Sequence, residues 1–197
     1  MLVRIVTATI LVLALGATAR AQSYEAFLDG LQEDPVVVTP GTGFGTAVFN
    51  PATNLLTVNL SFSGLVGTTT DSHIHCCFGE PTDAPPGTTA GVAVGFTPHG
   101  FPLGVTSGNF NASFDLLNAT NYTSTEIAES GGAVIQARDR LLAAMDPGAT
   151  TGGAYFNIHT TFRGGGEIRG NISLVPEPAS LALLLCGAFA VCLAQTR

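Results

Sequence analysis

Three histidines and one glutamate could bind a single metal ion if the fold brings them together. His73 and His75 are separated by one residue, and His159 lies much further along the chain. Alternate residues of a β-strand project from the same face, so His73 and His75 would point the same way, and Glu167 would project from a later strand. Imidazole and carboxylate groups are ligands for Cu and Zn, so the pattern predicts one mononuclear Cu or Zn site. The alternative is structural: each histidine bonds backbone or carboxylate partners and stabilises the sheet.

A fourth histidine, His99, lies between Pro98 and Gly100. Proline and glycine on either side are typical of a loop. His99 could reach the metal site as a further ligand from such a loop. The alternative is a solvent-exposed histidine.

Two adjacent cysteines, Cys76 and Cys77, directly follow His75. In an oxidising compartment free thiols rarely persist, so the pair predicts a disulfide that shapes the following loop. Two functional alternatives stay open. The pair could be a redox switch, or its thiolates could extend the histidine site for a soft metal.

The segments that must position these side chains are predicted to be mainly β-strands. Alternating apolar and polar residues predict strands at 45–49, 55–62, 71–76, 91–96, 108–116, 154–161 and 167–174. The first two flank a turn-rich pentapeptide and predict a hairpin. Residues 133–145 predict one helix, because apolar residues fall on one face before the stop signal Asp146-Pro147-Gly148. Short strands with one helical crossover favour a β-sandwich or a partly closed barrel.

The amino-terminal segment has the pattern of a cleavable leader. Arg4 precedes an apolar stretch, and Ala19-Arg20-Ala21 is a small-x-small cleavage site. We therefore predict a signal peptide over residues 1–21 and a mature chain that begins at Gln22. A membrane anchor is the alternative, although the apolar stretch is short for a membrane span.

The carboxyl-terminal segment, residues 175–197, has the pattern of a sorting signal. Pro176, Glu177 and Pro178 precede an apolar run, and Arg197 ends the chain. This arrangement resembles the PEP-CTERM tails of Gram-negative bacteria that make extracellular polysaccharide. The resemblance implies a transmembrane helix in the tail and cleavage by an exosortase-type sorting enzyme. A permanent anchor is the alternative, and in both cases contact with the membrane is expected only through the terminal segments.

The intervening residues, 22–174, resemble CHRD (chordin) domains. The matching stretches occur in family order at 24–30, 60–65, 72–75, 154–160 and 165–170. The sequence departs from the common family pattern after His75, where many members have Gly-Pro. The resemblance implies an immunoglobulin-like or superoxide-dismutase-like β-sandwich or barrel, to which the patterns above add one short helix and terminal signal and sorting helices. The leader and the sorting tail predict export across the inner membrane to the cell envelope, the outer surface or the extracellular matrix.

Charge and composition narrow the function classes. The net charge is −7 and the chain has no lysine, so a phosphate-binding basic patch is not expected and nucleic-acid binding is excluded.

No catalytic motif is recognised, so the leading hypothesis is a non-catalytic protein that associates with extracellular polysaccharide or surface proteins. The alternative is a Cu- or Zn-binding domain with a redox role. The four histidines of the chain are too few for the bridged Cu–Zn pair of superoxide dismutase. A ligand antagonist like chordin is a third, fold-based hypothesis.

Overall fold

The computed structural model describes residues 20–77, 89–146 and 153–175. Most of the predicted signal peptide, and the sorting motif Pro176, Glu177 and Pro178 with its apolar run, lie outside the described residues. No helix among the described residues is long and apolar enough to span a bilayer.

The described residues form nine strands and two α-helices. The strands are β1 (Gln22–Asp29), β2 (Thr42–Asn50), β3 (Leu55–Ser63), β4 (Thr69–Cys76), β5 (Val92–Gly95), β6 (Gly108–Asp115), β7 (Ala154–Thr160), β8 (Ile168–Asn171) and β9 (Ser173–Leu174). The helices are α1 (Ser124–Glu129) and α2 (Val134–Ala144). The β2–β3 hairpin and the other predicted strands are confirmed, except that 167–174 forms two short strands, β8 and β9, instead of one. β1 is an additional strand.

All nine strands belong to one antiparallel sheet that curls into a half-barrel. The strand order is β5-β4-β7-β8-β1-β2-β3-β6, and β9 pairs with β1. The curl brings the inner surfaces of distant strands together: a Cβ added to Gly45 on β2 would lie 2.8 Å from the Phe156 ring on β7. The mainly β prediction is confirmed, with one curled sheet rather than two facing sheets. An immunoglobulin-like or superoxide-dismutase-like topology stays a prediction.

The core fills the concave side of the sheet. Residues on the inner face alternate with outward residues along each strand, as the pleat requires. Phe96 packs against Phe110, Phe114 and Phe156, and α2 adds Leu141 to the same cluster. This apolar core fixes β4 beside β7, which is the pairing that positions the histidines.

The helical segment contains two helices where one was predicted. The Thr123 hydroxyl accepts a hydrogen bond from the Glu126 backbone N–H and so caps α1. Gly131 and Gly132 then adopt positive φ values of 93° and 88°, which a residue with a Cβ adopts only with strain. The glycine pair ends α1 and allows α2 to start in a new direction.

Candidate metal centre

The three predicted histidines meet on the outer face of β4 and β7. His73 and His75 project outward from β4, while Ile74 between them is fully buried in the core. On β7, His159 lies opposite Asp71, one pleat away from the His73–Asn157 pair. The antiparallel register therefore places His159 diagonally beside His73.

The three rings lie close enough to share one ion. Their centroids are separated by 4.7 Å (His73–His159), 5.2 Å (His73–His75) and 5.9 Å (His75–His159). One nitrogen from each ring lies within 4.8 Å of the other two. Zn or Cu bonds of about 2.0–2.1 Å would hold such nitrogens about 3.3–3.5 Å apart. The nitrogen separations therefore exceed those of a bound site by at most about 1.5 Å.

Each histidine has one ring nitrogen that is held by an outer partner. His73 Nε2 lies 2.8 Å from Asp71 Oδ2. His75 Nδ1 lies 2.8 Å from the Ala90 carbonyl, and His159 Nδ1 lies 2.7 Å from the Gly164 carbonyl. Carbonyl and carboxylate oxygens only accept hydrogen bonds, so the ring nitrogen that contacts each of them must carry a proton. In a neutral ring the opposite nitrogen then has a free lone pair.

The opposite nitrogens are the ones that have no such partner within the described part of the chain. His73 Nδ1, His75 Nε2 and His159 Nε2 are all buried, and none has a hydrogen-bond partner among the described residues. A buried polar atom without a partner costs free energy, so three in one cluster of rings fit a bound ligand. A metal ion is the ligand that three converging imidazole lone pairs suit.

Burial also keeps two of the rings, those of His75 and His159, in the protonation state that a metal needs. Desolvation lowers the pKa of His75 to about 4 and lowers the pKa of His159 as well. Both imidazoles are therefore neutral at pH 7, and no proton has to be displaced from the lone pairs that face the centre.

A second layer of side chains holds the ligands in place. Asp71, which orients His73, itself accepts hydrogen bonds from the Thr97 hydroxyl and from the Ser72 backbone N–H. Burial alone would raise the pKa of Asp71, but hydrogen bonds from Thr97 and His73 lower it below its usual range. Asp71 is therefore a carboxylate at neutral pH, which favours a cation bound to His73.

Tyr155 stabilises the His75 side of the centre. Its ring stacks on His75 with centroids 4.7 Å apart and planes 6° from parallel. Its hydroxyl accepts a hydrogen bond from the Ala90 N–H, and the Ala90 carbonyl bonds His75. The guanidinium carbon of Arg169 lies 4.0 Å from the Tyr155 ring centroid. Tyr155 and Asp71 were not predicted as part of the site, although Asp71 and His73 have the period-two spacing of one strand face.

Glu167, predicted as a fourth ligand, lies outside the histidine cluster. It precedes β8 and is fully buried at one end of the sheet. Its Oε1 accepts from the Thr39 hydroxyl at 2.6 Å and the Val66 N–H at 2.6 Å. Its Oε2 accepts from the Thr160 hydroxyl at 2.7 Å and the Gly67 N–H at 3.0 Å. With both oxygens engaged, this carboxylate joins three chain segments and offers no lone pair to the histidines.

His99 also lies away from the cluster. It is exposed in the short 3₁₀ helix Thr97–His99, and its ring contacts Phe114 at a centroid distance of 4.7 Å. This position agrees with the alternative interpretation, in which His99 is a solvent-exposed histidine. His99 is therefore a natural control for experiments on the other three histidines.

Cys76 and Cys77 are joined by a disulfide. Cys76 is buried in the core, and the Cys77 sulfur lies 3.7 Å from the Arg140 carbonyl. Glu126 is near both sulfurs, but its carboxylate pairs with Arg140 Nη1 at 2.9 Å. Oxidised sulfurs are not thiolates, so in this state the pair does not extend the histidine cluster. A redox role stays a prediction.

The fold and the site together define a mainly β domain that presents three histidines from neighbouring strands. Comparison with known families gives a match to the CHRD domain over residues 24–172. The chain therefore belongs to the CHRD domain family, which is an extracellular-type domain family. No curated protein and no solved structure matches the chain.

Proposed function

We propose that this protein is an exported, non-catalytic CHRD-domain protein that holds one Cu or Zn ion through His73, His75 and His159. The observation that carries the proposal is that three clustered imidazole rings each have one buried nitrogen without a partner among the described residues. Three protein ligands leave a coordination position for water or another small ligand.

The proposal assigns binding and assigns no reaction. A bridged pair of metal ions needs more histidines than the four in the chain, and His99 lies away from the other three. One mononuclear centre is what the chain can build. Such a centre could stabilise the sheet by joining β4 to β7, because metal-binding energy adds to folding energy.

Metal analysis of the purified protein tests the proposal. Bound metal is first removed with EDTA, and the protein is then incubated with excess Cu or Zn without reductant. After desalting, the metal content is measured by inductively coupled plasma mass spectrometry. We expect near one ion per chain for the wild type and for His99→Ala, and less than about a tenth for His75→Ala. Wild-type protein that retains less than about a tenth of an equivalent of either metal contradicts the proposal.

Export and sorting are the second part of the proposal. They are supported by the leader pattern before Gln22 and by the resemblance of Pro176, Glu177 and Pro178 to a PEP-CTERM motif. An exosortase-type enzyme is then a processing partner, and the envelope or extracellular matrix of a Gram-negative bacterium is the destination. Mass spectrometry of the protein recovered from its native cells should give Gln22 as the first residue and a terminus near Glu177. Recovery of the intact chain from the cytoplasm would contradict this part alone.

A further inference from the structure

The outer face of β1, β2, β3 and β6 lies away from the histidines and is open to solvent. The register aligns its side chains in rows that cross the strands. In the first row, Phe27 lies opposite Phe44, Phe44 lies opposite Ser61, and Ser61 lies opposite Asn109. Phe27 is 67 % exposed, and its ring centroid lies 4.9 Å from that of Phe44. The row thus has an aromatic end and a polar end.

The second row is made of amides and hydroxyls. Thr46 lies opposite Asn59, and Asn59 lies opposite Asn111. The Asn111 amide NH₂ donates to the Asn59 carbonyl oxygen. This bond leaves the Asn59 NH₂ group and the Asn111 carbonyl oxygen for a ligand, so a donor and an acceptor stand side by side on neighbouring strands.

The two rows border a continuous shallow groove. One part, of about 470 Å³, is lined by Phe44, Asn59 and Asn111 among others. The adjoining part, of about 570 Å³, extends to Phe27 and Ser63, and both parts share Phe44, Ser61 and Asn109. An open groove that crosses several strands suits an extended chain better than a compact small molecule.

The chemistry of the groove indicates what that chain is. The described residues that line it are aromatic, aliphatic, hydroxyl or amide residues and carry no charge, on a protein with a net charge of −7. Glu25 is in line with the second row but outside the groove. Paired donors and acceptors match adjacent sugar hydroxyls, and exposed aromatic rings match the apolar faces of sugar rings. A nucleic acid or an acidic polymer would find no cation here.

We propose that this groove binds a neutral polysaccharide chain. Phe27 and Phe44 stack against sugar rings, and the Asn59–Asn111 pair bonds neighbouring hydroxyls. The inference is independent of the metal centre, because the groove and the histidines use different strands of the sheet.

Affinity electrophoresis of the purified protein tests the inference. Native gels contain a mixed-linkage β-glucan, a galactomannan, hydroxyethylcellulose or dextran as neutral polymers, and alginate as an acidic polymer. We expect at least one neutral polymer to retard the wild type and alginate to leave it unretarded. Phe27→Ala and Phe44→Ala should each weaken binding by about tenfold, and the double variant should migrate as if no polymer were present.

Matched controls separate this result from loss of folding and from the metal proposal. Phe162 is an exposed phenylalanine outside the groove, 43 % exposed and beside Arg163, so Phe162→Ala should bind like the wild type. His75→Ala should also bind like the wild type. Circular dichroism checks that each variant is folded. The inference is overturned if no neutral polymer retards the protein, if the double variant binds normally, or if ultracentrifugation shows that Phe27 and Phe44 instead hold a dimer.

Discussion

Two buried polar clusters on adjoining parts of the same sheet differ in one respect. In the Glu167 cluster, both carboxylate oxygens are bonded, by Thr39, Val66, Gly67 and Thr160. In the histidine cluster, the outer nitrogens are bonded, but the three inner nitrogens of His73, His75 and His159 have no partner among the described residues. Glutamate and histidine are both residue types that bind metals.

The difference separates a structural role from a ligand-binding role. A buried carboxylate whose lone pairs are all used contributes to stability and has nothing to offer an ion. Buried imidazoles that face each other without donors are stable only if a ligand or a proton completes the set. Hydrogen-bond satisfaction is therefore more informative than residue type, and it supports a structural role for Glu167 and the proposed metal site at the histidines.

The largest expected effect tests the structural half of this comparison. Glu167→Ala removes the common acceptor of three chain segments, so the free energy of unfolding should fall by about 3–4 kcal/mol in urea titrations. The control is Glu129, whose side chain is about half exposed. Glu129→Ala should change the free energy of unfolding by less than about 0.5 kcal/mol. A loss below about 1 kcal/mol for Glu167→Ala would contradict its structural role. Loss of bound metal from the folded variant would show that Glu167 belongs to the site.

The second effect tests the ligand-binding half. Free Cu or Zn at about 100–1,000 times its dissociation constant should stabilise the wild type by about 2.7–4.1 kcal/mol. His159→Ala should lose this gain, and His99→Ala should keep it, as measured by thermal unfolding with and without EDTA. Equal stabilisation of all three proteins would place the ion elsewhere.

The third effect concerns Glu33, a buried carboxyl next to Asn157 whose Oε1 has no partner among the described residues. Burial raises the pKa of Glu33 to about 7, although the positive charge of Arg169 acts to lower this pKa. Between about pH 4.5 and 7 the folded state then holds a proton that the unfolded state releases, so this group lowers stability as pH rises. Over that range the wild type should lose about 2–3 kcal/mol relative to Glu33→Gln, which mimics the protonated acid.

The comparison with Glu33→Gln is necessary because the histidines act in the opposite direction. The lowered pKa of His75 makes stability rise with pH between about 4 and 6.5. That contribution is common to both proteins and cancels in their difference. If urea titrations give the two proteins parallel pH profiles, Glu33 is already ionised in the fold.

The smallest effect measures how much the second layer contributes to the centre. Asp71→Asn keeps the shape of the side chain but removes the charge that orients His73, so metal affinity should fall by about 10–100-fold. Competition titration with a chromophoric chelator gives the ratio, and Asp139→Asn on α2 is the control. An unchanged affinity would show that Asp71 has only a structural role in β4.

The strands and the histidine positions were predictable from local patterns. The pleat has a period of two residues, so the alternation around Ile74 and Ile158 was enough to place His73, His75 and His159 on outward faces. The same rule failed for Glu167, because this residue precedes β8, after the Gly164–Gly166 turn, where strand alternation has not yet begun. Helix α1 was missed because its six residues carry too little periodicity to predict a helix.

The sequence by itself determined the types of the ligands, their spacing along each strand and the family to which the chain belongs. Only the tertiary structure decided that β4 lies beside β7, that the Ala90 and Gly164 carbonyls take one nitrogen of a ring each, and that Glu167 is fully bonded elsewhere. The physical reason is that strand pairing and hydrogen-bond satisfaction depend on contacts between residues far apart in the chain, which no local pattern encodes.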